Sequence, residues 1–341
     1  MIINKPYSQV NLLKDKTGWV TSLENKALGN ILKNLDINVI SKNISYHQVC
    51  YLPDKYNAIK KCMFYSFLHN RVAFDYYHGD PIITPAFNKI FKELISKRKY
   101  FQRIRVSHSG IENLLKNEGF ENEVSRIPIG LDISLFPIQT PETKENFRRH
   151  FEIPKSAFVV GSFQKDGNGW GEGNEPKLIK GPDVFLNTLR ILKSRIPELF
   201  VLLTGPARGY VKKGLEDLKI PYIHHYPSDY SEIYKYYQTL DVYVVTSREE
   251  GGPKAILESM ASGVPIVSTK VGQAQDLITN CVNGWLSESE SHESLAENIF
   301  KIFANNVFNE LIKNKARLTA NNNTYDSQLG LWDDFFKPLL R

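Results

Sequence analysis

Two glutamates and two adjacent glycines lie together in the stretch 244–276, which reads VVTSREEGGPKAILESMASGVPIVSTKVGQAQD. The apolar run at its start predicts a strand that ends near Ser247, and Pro253 is expected at the first position of the next helix. Gly251 and Gly252 then lie in the turn at the carboxyl end of a buried strand. Open α/β sheets bind their ligands at this edge, so the turn is a candidate binding site.

The chemistry expected of this turn is the binding of an anion and of hydroxyl groups. The free N–H groups at the start of a helix attract anions, and glycines let a ligand approach the backbone closely. Glu250 lies in the turn, and Glu258 lies about one and a half turns into the helix. Carboxylates repel an anion unless they accept hydrogen bonds, and sugar hydroxyls are natural donors. The alternative is that Glu258 pairs with Lys254 on a solvated helix face and that Glu250 is an ordinary loop charge.

The second half of the chain alternates apolar runs with helical patterns, which predicts βαβ units and a doubly wound parallel sheet. The strands are predicted at 158–163, 200–205, 241–247 and 263–269. The helices are predicted at 181–195, 231–240 and 253–262.

The first half predicts another α/β domain, with a weaker pattern. Its strands are expected at 1–4, 37–41, 71–79, 103–109 and 124–130, and its helices at 21–34 and 111–120. The polar stretch 140–156 contains prolines and indicates the join. The expected domains are therefore 1–150 and 151–323, with a C-terminal helix over about 324–341 that can pack back on the first domain.

A long glycine-rich segment, 161–183, stands where a short connection from strand to helix is expected. It contains six glycines, and connections of this length in compact domains are usually functional. Its glycines match neither a P-loop nor the fingerprint of a dinucleotide-binding turn, which argues against a nicotinamide cofactor.

Length and composition exclude several classes of protein. The 341 residues fit two domains, and 42% hydrophobic with 23% charged residues is ordinary for a globular chain. There is no apolar run of the roughly 18 residues that a spanning helix needs. The N-terminal stretch lacks the apolar core of a signal peptide, and the three cysteines are far apart, so a cytoplasmic protein with reduced thiols is expected.

The net charge of +6 is unevenly distributed along the chain. Residues 1–150 carry an excess of 8 positive charges, whereas residues 151–341 carry an excess of 2 negative charges. This asymmetry indicates two domains with different partners, and the basic one favours an anionic surface such as phospholipid. A nucleic-acid partner is not expected, because only the net charge supports it.

The segment from Glu250 to Glu258, followed by SMASGVPIVST and VGQAQD, resembles the Glu-seven-residues-Glu signature of the family-4 retaining glycosyltransferases. Three further segments resemble parts of that family in the same order: IPIGLDISLF (127–136), KGPDVFL (180–186) and TGPARG (204–209). The resemblance covers about residues 104–290. It implies an α/β protein of GT-B architecture, in which two Rossmann-like domains with parallel sheets face an inter-domain cleft.

The resemblance also implies roles for particular residues. The positions that match donor-binding positions of the family are Gly18, Gln164, Lys165, Lys180, Gly251, Gly252, Pro253, Lys254 and Glu258. Among them, Lys180 meets the diphosphate, Lys165 takes the place of the family's arginine, and Glu258 accepts from the ribose. The expected catalytic residues are His78, Lys180 and Glu250, with Glu250 holding hydroxyls of the donor sugar and His78 facing that sugar.

The activity that the resemblance implies is glycosyl transfer from a nucleotide-diphosphate sugar to a hydroxyl of a saccharide or lipid-linked acceptor, with retention of anomeric configuration. Lysines and a helix N-terminus neutralise the departing diphosphate, so no metal ion is expected, and no DxD motif stands at a predicted strand end. Two alternatives remain open. One is a sugar-nucleotide 2-epimerase on the same fold, and the other is a nucleotide-sugar binding module without catalysis.

The stretch 85–103 is the candidate for membrane contact. Apolar residues form one helical stripe, and basic residues fill the rest of the helix and its end. The apolar residues are Phe87, Ile90, Phe91, Leu94, Ile95 and Phe101. Either the stripe packs on the first domain's sheet, or the helix attaches the protein to the inner face of the cytoplasmic membrane, as many members of the family extend lipid-linked saccharides there.

Overall fold

The computed structural model describes residues 6–14, 20–41, 43–304 and 306–340. The chain divides into two compact units. Unit 1 comprises the residues up to Gly130 together with those from Asn323 onwards, and unit 2 comprises Leu131–Asn322. Each unit is built around one parallel sheet of six strands.

Unit 1 contains a sheet in the order β2-β1-β3-β4-β5-β6. Its strands are β1 Val10–Leu12, β2 Val39–Ile40, β3 Val49–Leu52, β4 Arg71–Asp75, β5 Arg103–Val106 and β6 Val124–Arg126. Its first helices are α1 Val20–Asn34, α2 Lys55–Phe67, α3 Asn88–Ser96 and α4 Ser109–Asn117. The strand expected at 1–4 lies outside the described residues.

Unit 2 begins with α5 Pro141–His150 and contains a sheet in the order β12-β11-β10-β7-β8-β9. Its strands are β7 Phe158–Phe163, β8 Leu199–Thr204, β9 Tyr222–His225, β10 Val242–Val245, β11 Ile266–Thr269 and β12 Trp285–Ser287. Its other helices are α6 Pro182–Lys193, α7 Gly209–Asp217, α8 Ile233–Tyr237, α9 Lys254–Ala261, α10 Ala274–Leu277, α11 His292–Ala304 and α12 Asn306–Asn321.

The predicted α/β class is confirmed by two all-parallel sheets with crossover helices. Parallel sheets carry helices on both faces, so their central strands are apolar throughout. Val160 at the centre of β7 pairs with Val201 of β8 and Val242 of β10, and all three are fully buried. This continuous burial is why the strand pattern of the second half is so legible in the sequence.

The boundary between the units lies at Gly130, twenty residues before the expected end of the first domain at residue 150. The stretch 131–150 is part of unit 2 because α5 is tied to it by ion pairs. Arg148 Nη2 and Lys144 Nζ lie 2.6 Å and 2.5 Å from the carboxylate oxygens of Asp241. The polar residues of this segment predict a linker, but in the structure Lys144 and Arg148 form ion pairs with unit 2.

The last helix, α13 Leu329–Phe336, belongs to unit 1. Its Trp332 and Phe336 are buried against Tyr51 of β3. The ring centroid of Tyr51 lies 6.1 Å from that of Trp332 and 5.6 Å from that of Phe336. The chain therefore returns to the first unit near residue 323, close to the expected position.

A glycine in left-handed conformation joins the glycine-rich segment to α6. Gly181 has φ +62°, and its carbonyl oxygen accepts a hydrogen bond from Thr246 Oγ1 at 2.9 Å. A Cβ at this position would overlap the carbonyl oxygen of Thr246, just beyond the end of β10. The absence of a side chain thus lets this turn dock on the carboxyl edge of the sheet.

We expect Gly181→Ala to lower the free energy of unfolding by about 3 kcal/mol or more, from the left-handed backbone and the overlap with Thr246 together. Gly169 is a matched control because it has φ +68° and open space around its Cα. Gly169→Ala should cost only the backbone part, about 1–2 kcal/mol. Urea unfolding of both variants measures the difference, and equal costs would contradict the docking role of Gly181.

Candidate functional site

The carboxyl edge of the unit 2 sheet brings Glu250 and Lys180 together. Lys180 Nζ lies 2.5 Å from Glu250 Oε1, and Ser247 Oγ donates a hydrogen bond to the same oxygen at 2.8 Å. Gln164 joins this group, because its Nε2 donates to the Lys180 carbonyl oxygen at 3.2 Å. Three of the residues singled out in the sequence, from segments up to 86 positions apart, therefore form one cluster.

Arg248 fixes the two segments that carry this cluster. Its backbone N–H donates to the Ile179 carbonyl oxygen at 2.9 Å, in the short 3₁₀ turn that ends at Lys180. Its guanidinium forms a two-pronged pair with Asp183 of α6, at 2.8 Å and 2.7 Å, and these hydrogen bonds lower the pKa of Asp183. The Lys180 turn and the Glu250 turn are thus locked to each other.

The turn from Gly251 to Lys254 leads into α9. The prediction that Pro253 is the first helical residue is wrong by one position: Pro253 has an extended ψ of 108° and caps the helix, which begins at Lys254. Gly251 is buried, and Gly272 packs so closely on it that a Cβ at Gly272 would lie 2.7 Å from the Gly251 carbonyl oxygen. Gly252 and Pro253 are partly exposed, whereas Lys254 is buried.

Glu258 lies on the buried side of α9. Its two carboxylate oxygens accept hydrogen bonds from the hydroxyls of Tyr230 and Tyr237, the latter at 2.9 Å. Burial raises the pKa of Glu258, while the charge of Lys254 and the two tyrosine hydrogen bonds oppose this. Burial also raises the pKa of Tyr243. The negative charges of Glu258 and Glu250 raise this pKa further, so both carboxylates interact electrostatically with the same tyrosine.

The glycine-rich segment forms a hairpin over residues 166–176. Gly167 and Pro176 form an antiparallel bridge, and the N–H of Asn168 donates to the Glu175 carbonyl oxygen at 2.9 Å. Lys165 stands just before this hairpin, with its ammonium 4.0 Å from the centre of the Trp170 ring. The candidate second cation of the donor site is therefore held by an aromatic face.

Sequence reasoning missed Lys177, at the other end of the hairpin. Burial lowers the pKa of Lys177, and the charges of Lys180 and Lys165 lower it further, while Glu250 opposes them. The charges of Lys165, Lys180 and Glu250 therefore all act on the Lys177 ammonium. The signal available in the sequence was the spacing of Lys177 and Lys180, three residues apart, which one turn of 3₁₀ helix places on the same side.

His78 lies in unit 1, in the turn after β4. Its ring meets Phe87 edge-on at 5.5 Å, and its carbonyl oxygen accepts a hydrogen bond from the buried ammonium of Lys55. A cavity of about 1060 Å³ opens beside it, at the carboxyl ends of β1, β3 and β4. Gly18, the other first-domain candidate, lies outside the described residues.

A buried network of charged and phenolic groups lies beside this cavity, and two of its members, Asp75 and Tyr77, line it. Asp75 accepts from the hydroxyl of Tyr51, and Arg105 Nη1 lies 3.6 Å from its carboxylate. Arg105 also pairs with Glu24 at 3.0 Å and donates to the Tyr77 hydroxyl at 2.8 Å. Asp75 is the last residue of the otherwise mostly apolar strand β4, and a carboxylate at such a strand end is visible in the sequence as a candidate site residue.

The fold of this chain is shared by solved structures of one class. The crystal structure of Anabaena HepE in complex with UDP and glucose matches 97% of this chain and 100% of that chain, with a TM-score of 0.77 and 16% identity. Sucrose-phosphate synthase from Thermosynechococcus elongatus matches 95% of this chain and 79% of that one, with a TM-score of 0.67 and 14% identity. The architecture is that of GT-B glycosyltransferases.

Within that class, residues 176–322 match the family described as Glycosyl transferases group 1. The chain is 27% identical over 196 residues to D-inositol 3-phosphate glycosyltransferase of Corynebacterium urealyticum, covering 53% of this chain and 43% of that protein. It is 27% identical over 222 residues to the Campylobacter jejuni N,N'-diacetylbacillosaminyl-diphospho-undecaprenol alpha-1,3-N-acetylgalactosaminyltransferase, covering 64% and 54%. The matches thus span about half the length of these relatives, and they confirm the expected resemblance to glycosyltransferases at the level of group 1.

The protonation of Asp75 makes the free energy of unfolding depend on pH. Burial raises the pKa of Asp75 from 3.8 to about 6, against the opposing charge of Arg105. The folded protein therefore holds this proton more tightly than the unfolded chain does. We expect the resulting stabilisation to be complete below about pH 4 and lost as the pH rises to about 6, a change of about 3 kcal/mol.

Urea unfolding of the wild type and Asp75→Asn, from about pH 4 to about pH 7, measures this change, because the variant lacks the titrating group. Glu121→Gln, which alters an exposed carboxylate of unit 1, is the control. A constant difference between the wild type and Asp75→Asn across this range would exclude the expected titration.

Proposed function

We propose that this chain is a retaining glycosyltransferase that moves a hexosyl group from a nucleotide-diphosphate sugar to a hydroxyl of a saccharide or lipid-linked acceptor. The observation that carries this proposal is the Lys180–Glu250 pair at the carboxyl edge of the unit 2 sheet, beside the start of α9. The pair lies within the segment that matches group 1 glycosyltransferases. A cation for phosphate and a carboxylate for hydroxyls are what a sugar diphosphate requires.

The barrier to such a transfer is lowered mainly by stabilising the charge of the departing diphosphate. In our proposal Lys180 and Lys165 supply positive charge, the N–H groups at Gly251, Gly252 and Lys254 donate to phosphate and sugar oxygens, and no metal ion is required. Glu250 exchanges its contact with Lys180 for hydroxyls of the donor sugar.

Glu258 is proposed to accept from the nucleotide's ribose. The tyrosine hydroxyls that now occupy its oxygens hold the carboxylate in place, and a carboxylate oxygen has lone pairs for a further donor.

The acceptor is proposed to bind in the unit 1 cavity beside His78. The cavity is lined by three tyrosines, by amide and hydroxyl side chains, and by two exposed lysines in addition to the buried Lys55. These are Tyr56, Tyr65, Tyr77, Asn43, Asn57, Ser41, Lys14 and Lys61. Aromatic faces combined with polar donors suit a saccharide, and the lysines suit a phosphate linked to it.

Product analysis tests the activity. The protein is incubated with nucleotide-diphosphate sugars and saccharide acceptors, and the anomeric configuration of the product is read by NMR. Transfer with retention is the expected result, whereas inversion would refute the retaining mechanism. Conversion of the donor sugar without an acceptor would indicate an epimerase, and binding without turnover would indicate a binding module.

Glu250→Gln should reduce turnover about tenfold or more, because hydrogen bonds to a charged group contribute about 1.5–3 kcal/mol each. Glu288→Gln, which changes an exposed glutamate of the same unit, should leave turnover unchanged. Steady-state kinetics with a fixed donor and acceptor measure both variants. If Glu250→Gln turns over as fast as the wild type, Glu250 does not contact the reacting sugar.

Membrane attachment is proposed through α2 rather than through the stretch 85–103. The apolar stripe expected to face a membrane packs inward, since Phe91, Leu94 and Phe101 are buried in the core of unit 1. No helix among the residues that the structure describes is long and apolar enough to cross a membrane. Contact with the inner face of the cytoplasmic membrane therefore requires another surface.

The exposed face of α2 is the surface proposed to contact the membrane. Met63, Phe64 and Phe67 are more than half exposed, at 55%, 55% and 76%, and Lys60 and Lys61 lie next to them. Apolar side chains flanked by lysines suit the interface of an anionic bilayer, where each lysine contributes about 1 kcal/mol. Lys61 also lines the proposed acceptor cavity, so α2 is proposed both to contact the membrane and to border the acceptor site.

We expect the protein to float with phosphatidylglycerol vesicles at low salt and to be released at high salt, because salt screens the lysines. The double variant Phe64→Ser/Phe67→Ser should bind several-fold less. Ile138→Ser, which removes an equally exposed apolar residue from unit 2, should bind like the wild type. Absence of flotation at low salt would refute membrane attachment, while the transferase activity is tested separately.

A further inference from the structure

Two lysines stand at the two feet of the glycine-rich hairpin. Lys165 immediately precedes it and Lys177 immediately follows it. The N–H of Lys177 donates to the Asp166 carbonyl oxygen at 2.7 Å, which closes the hairpin at its base. The backbone positions of both lysines are therefore set by the same closure.

A fully buried ion pair fixes this base to the sheet. Arg208 Nε lies 2.9 Å from Asp166 Oδ1, and neither side chain is exposed to solvent. The same guanidinium donates to the Ser162 carbonyl oxygen of β7 at 2.6 Å and to the Thr204 carbonyl oxygen of β8 at 2.8 Å. Because these oxygens belong to neighbouring strands, the feet of the hairpin are held at the carboxyl edge of the sheet.

The 3₁₀ turn then links Lys177 to Lys180. The N–H of Lys180 donates to the Lys177 carbonyl oxygen at 2.8 Å, so the two residues are one tight turn apart. Lys165, Lys177 and Lys180 form what we call the lysine cluster. Its charge exceeds that of Glu250, the carboxylate paired with Lys180, by two.

The three ammonium groups differ in their partners. Lys180 pairs with Glu250, and Lys165 lies on the Trp170 ring. Among the residues that the structure describes, the Lys177 ammonium has no hydrogen-bond or ion-pair partner, although the residue is half-buried. A half-buried ammonium beside two like charges is unfavourable, and this agrees with the lowered pKa of Lys177, for which burial is the main cause.

We propose that Lys177 is a third cation of the donor site and binds an oxygen of the donor's diphosphate. Lys177 can do so without breaking an existing contact, whereas Lys180 and Lys165 must first leave Glu250 and Trp170. The inference rests on the proposed function, and it makes the cluster selective for nucleoside diphosphates over the corresponding nucleosides.

The test is isothermal titration of the full chain with UDP, GDP and ADP and with the matching nucleosides. Lys177→Gln should weaken binding of the preferred diphosphate about tenfold or more and change nucleoside binding less than about twofold. Lys177→Arg should retain most of the diphosphate affinity. Lys213→Gln, which removes an exposed lysine of the same unit, should bind like the wild type.

Lys177→Met is a second variant, and thermal unfolding checks that both fold. Unchanged diphosphate affinity in Lys177→Gln and Lys177→Met would overturn the inference, and so would an equal loss of diphosphate and nucleoside binding. The proposed function would survive that outcome if Glu250→Gln still lost turnover. If the wild type binds no nucleoside diphosphate, the proposed function itself fails.

Discussion

The docking of the Lys180–Gly181 turn on the end of β10 is the contact on which the candidate donor site depends. Without a side chain at Gly181, the turn reaches the Thr246 carbonyl oxygen, and Lys180 then reaches Glu250. The two-pronged pair of Arg248 with Asp183 holds the same two segments from the side. Packing of backbone on backbone therefore sets the position of the charged groups, which lie on connections rather than on the strands themselves.

The two units place their polar groups by the same principle. In each, the strand interiors are mostly apolar, and most polar groups of the two sites lie where strands end, with Arg105 inside β5 as the exception. Asp75 at the end of β4 is held by Tyr51 and Arg105, just as Asp166 beyond β7 is held by Arg208. Buried charges of this kind are tolerated because each has an opposite charge close by, and removing one partner would leave the other uncompensated.

How far the sequence predicts this molecule depends on how local the signal is. The strands at 158–163 and 200–205 are recovered almost residue for residue, because burial on both faces makes them uniformly apolar. In contrast, the sequence does not predict β3 at Val49–Leu52, which is buried but only four residues long. It does not predict α2 either, because this helix exposes aromatic residues and so lacks a clean polar face. Residues 131–150 were misplaced because only tertiary ion pairs reveal where α5 packs.

The same limit applies to the site. Glu250, Lys180 and Gln164 were found from short motifs whose positions in the fold are set locally. Lys177 was missed because it lies in a segment without a counterpart in those motifs, and only the closed hairpin brings it near Lys165. The basic helix 85–103 was ambiguous for a physical reason as well, since an amphipathic stripe looks alike whether it covers a sheet or a bilayer.

The hairpin separates a fixed part from a free part of the chain. Its base is anchored by Arg208, whereas Gly169 and Gly171 at its tip have no atom near the position of a Cβ. Apart from Trp170, whose ring contacts the Lys165 ammonium, the residues of the tip can therefore diverge during evolution without shifting the backbone of the lysines at the base. For the same reason, the tip offers a place to graft a peptide epitope or a reporter dye next to the candidate donor site while leaving the sheet untouched.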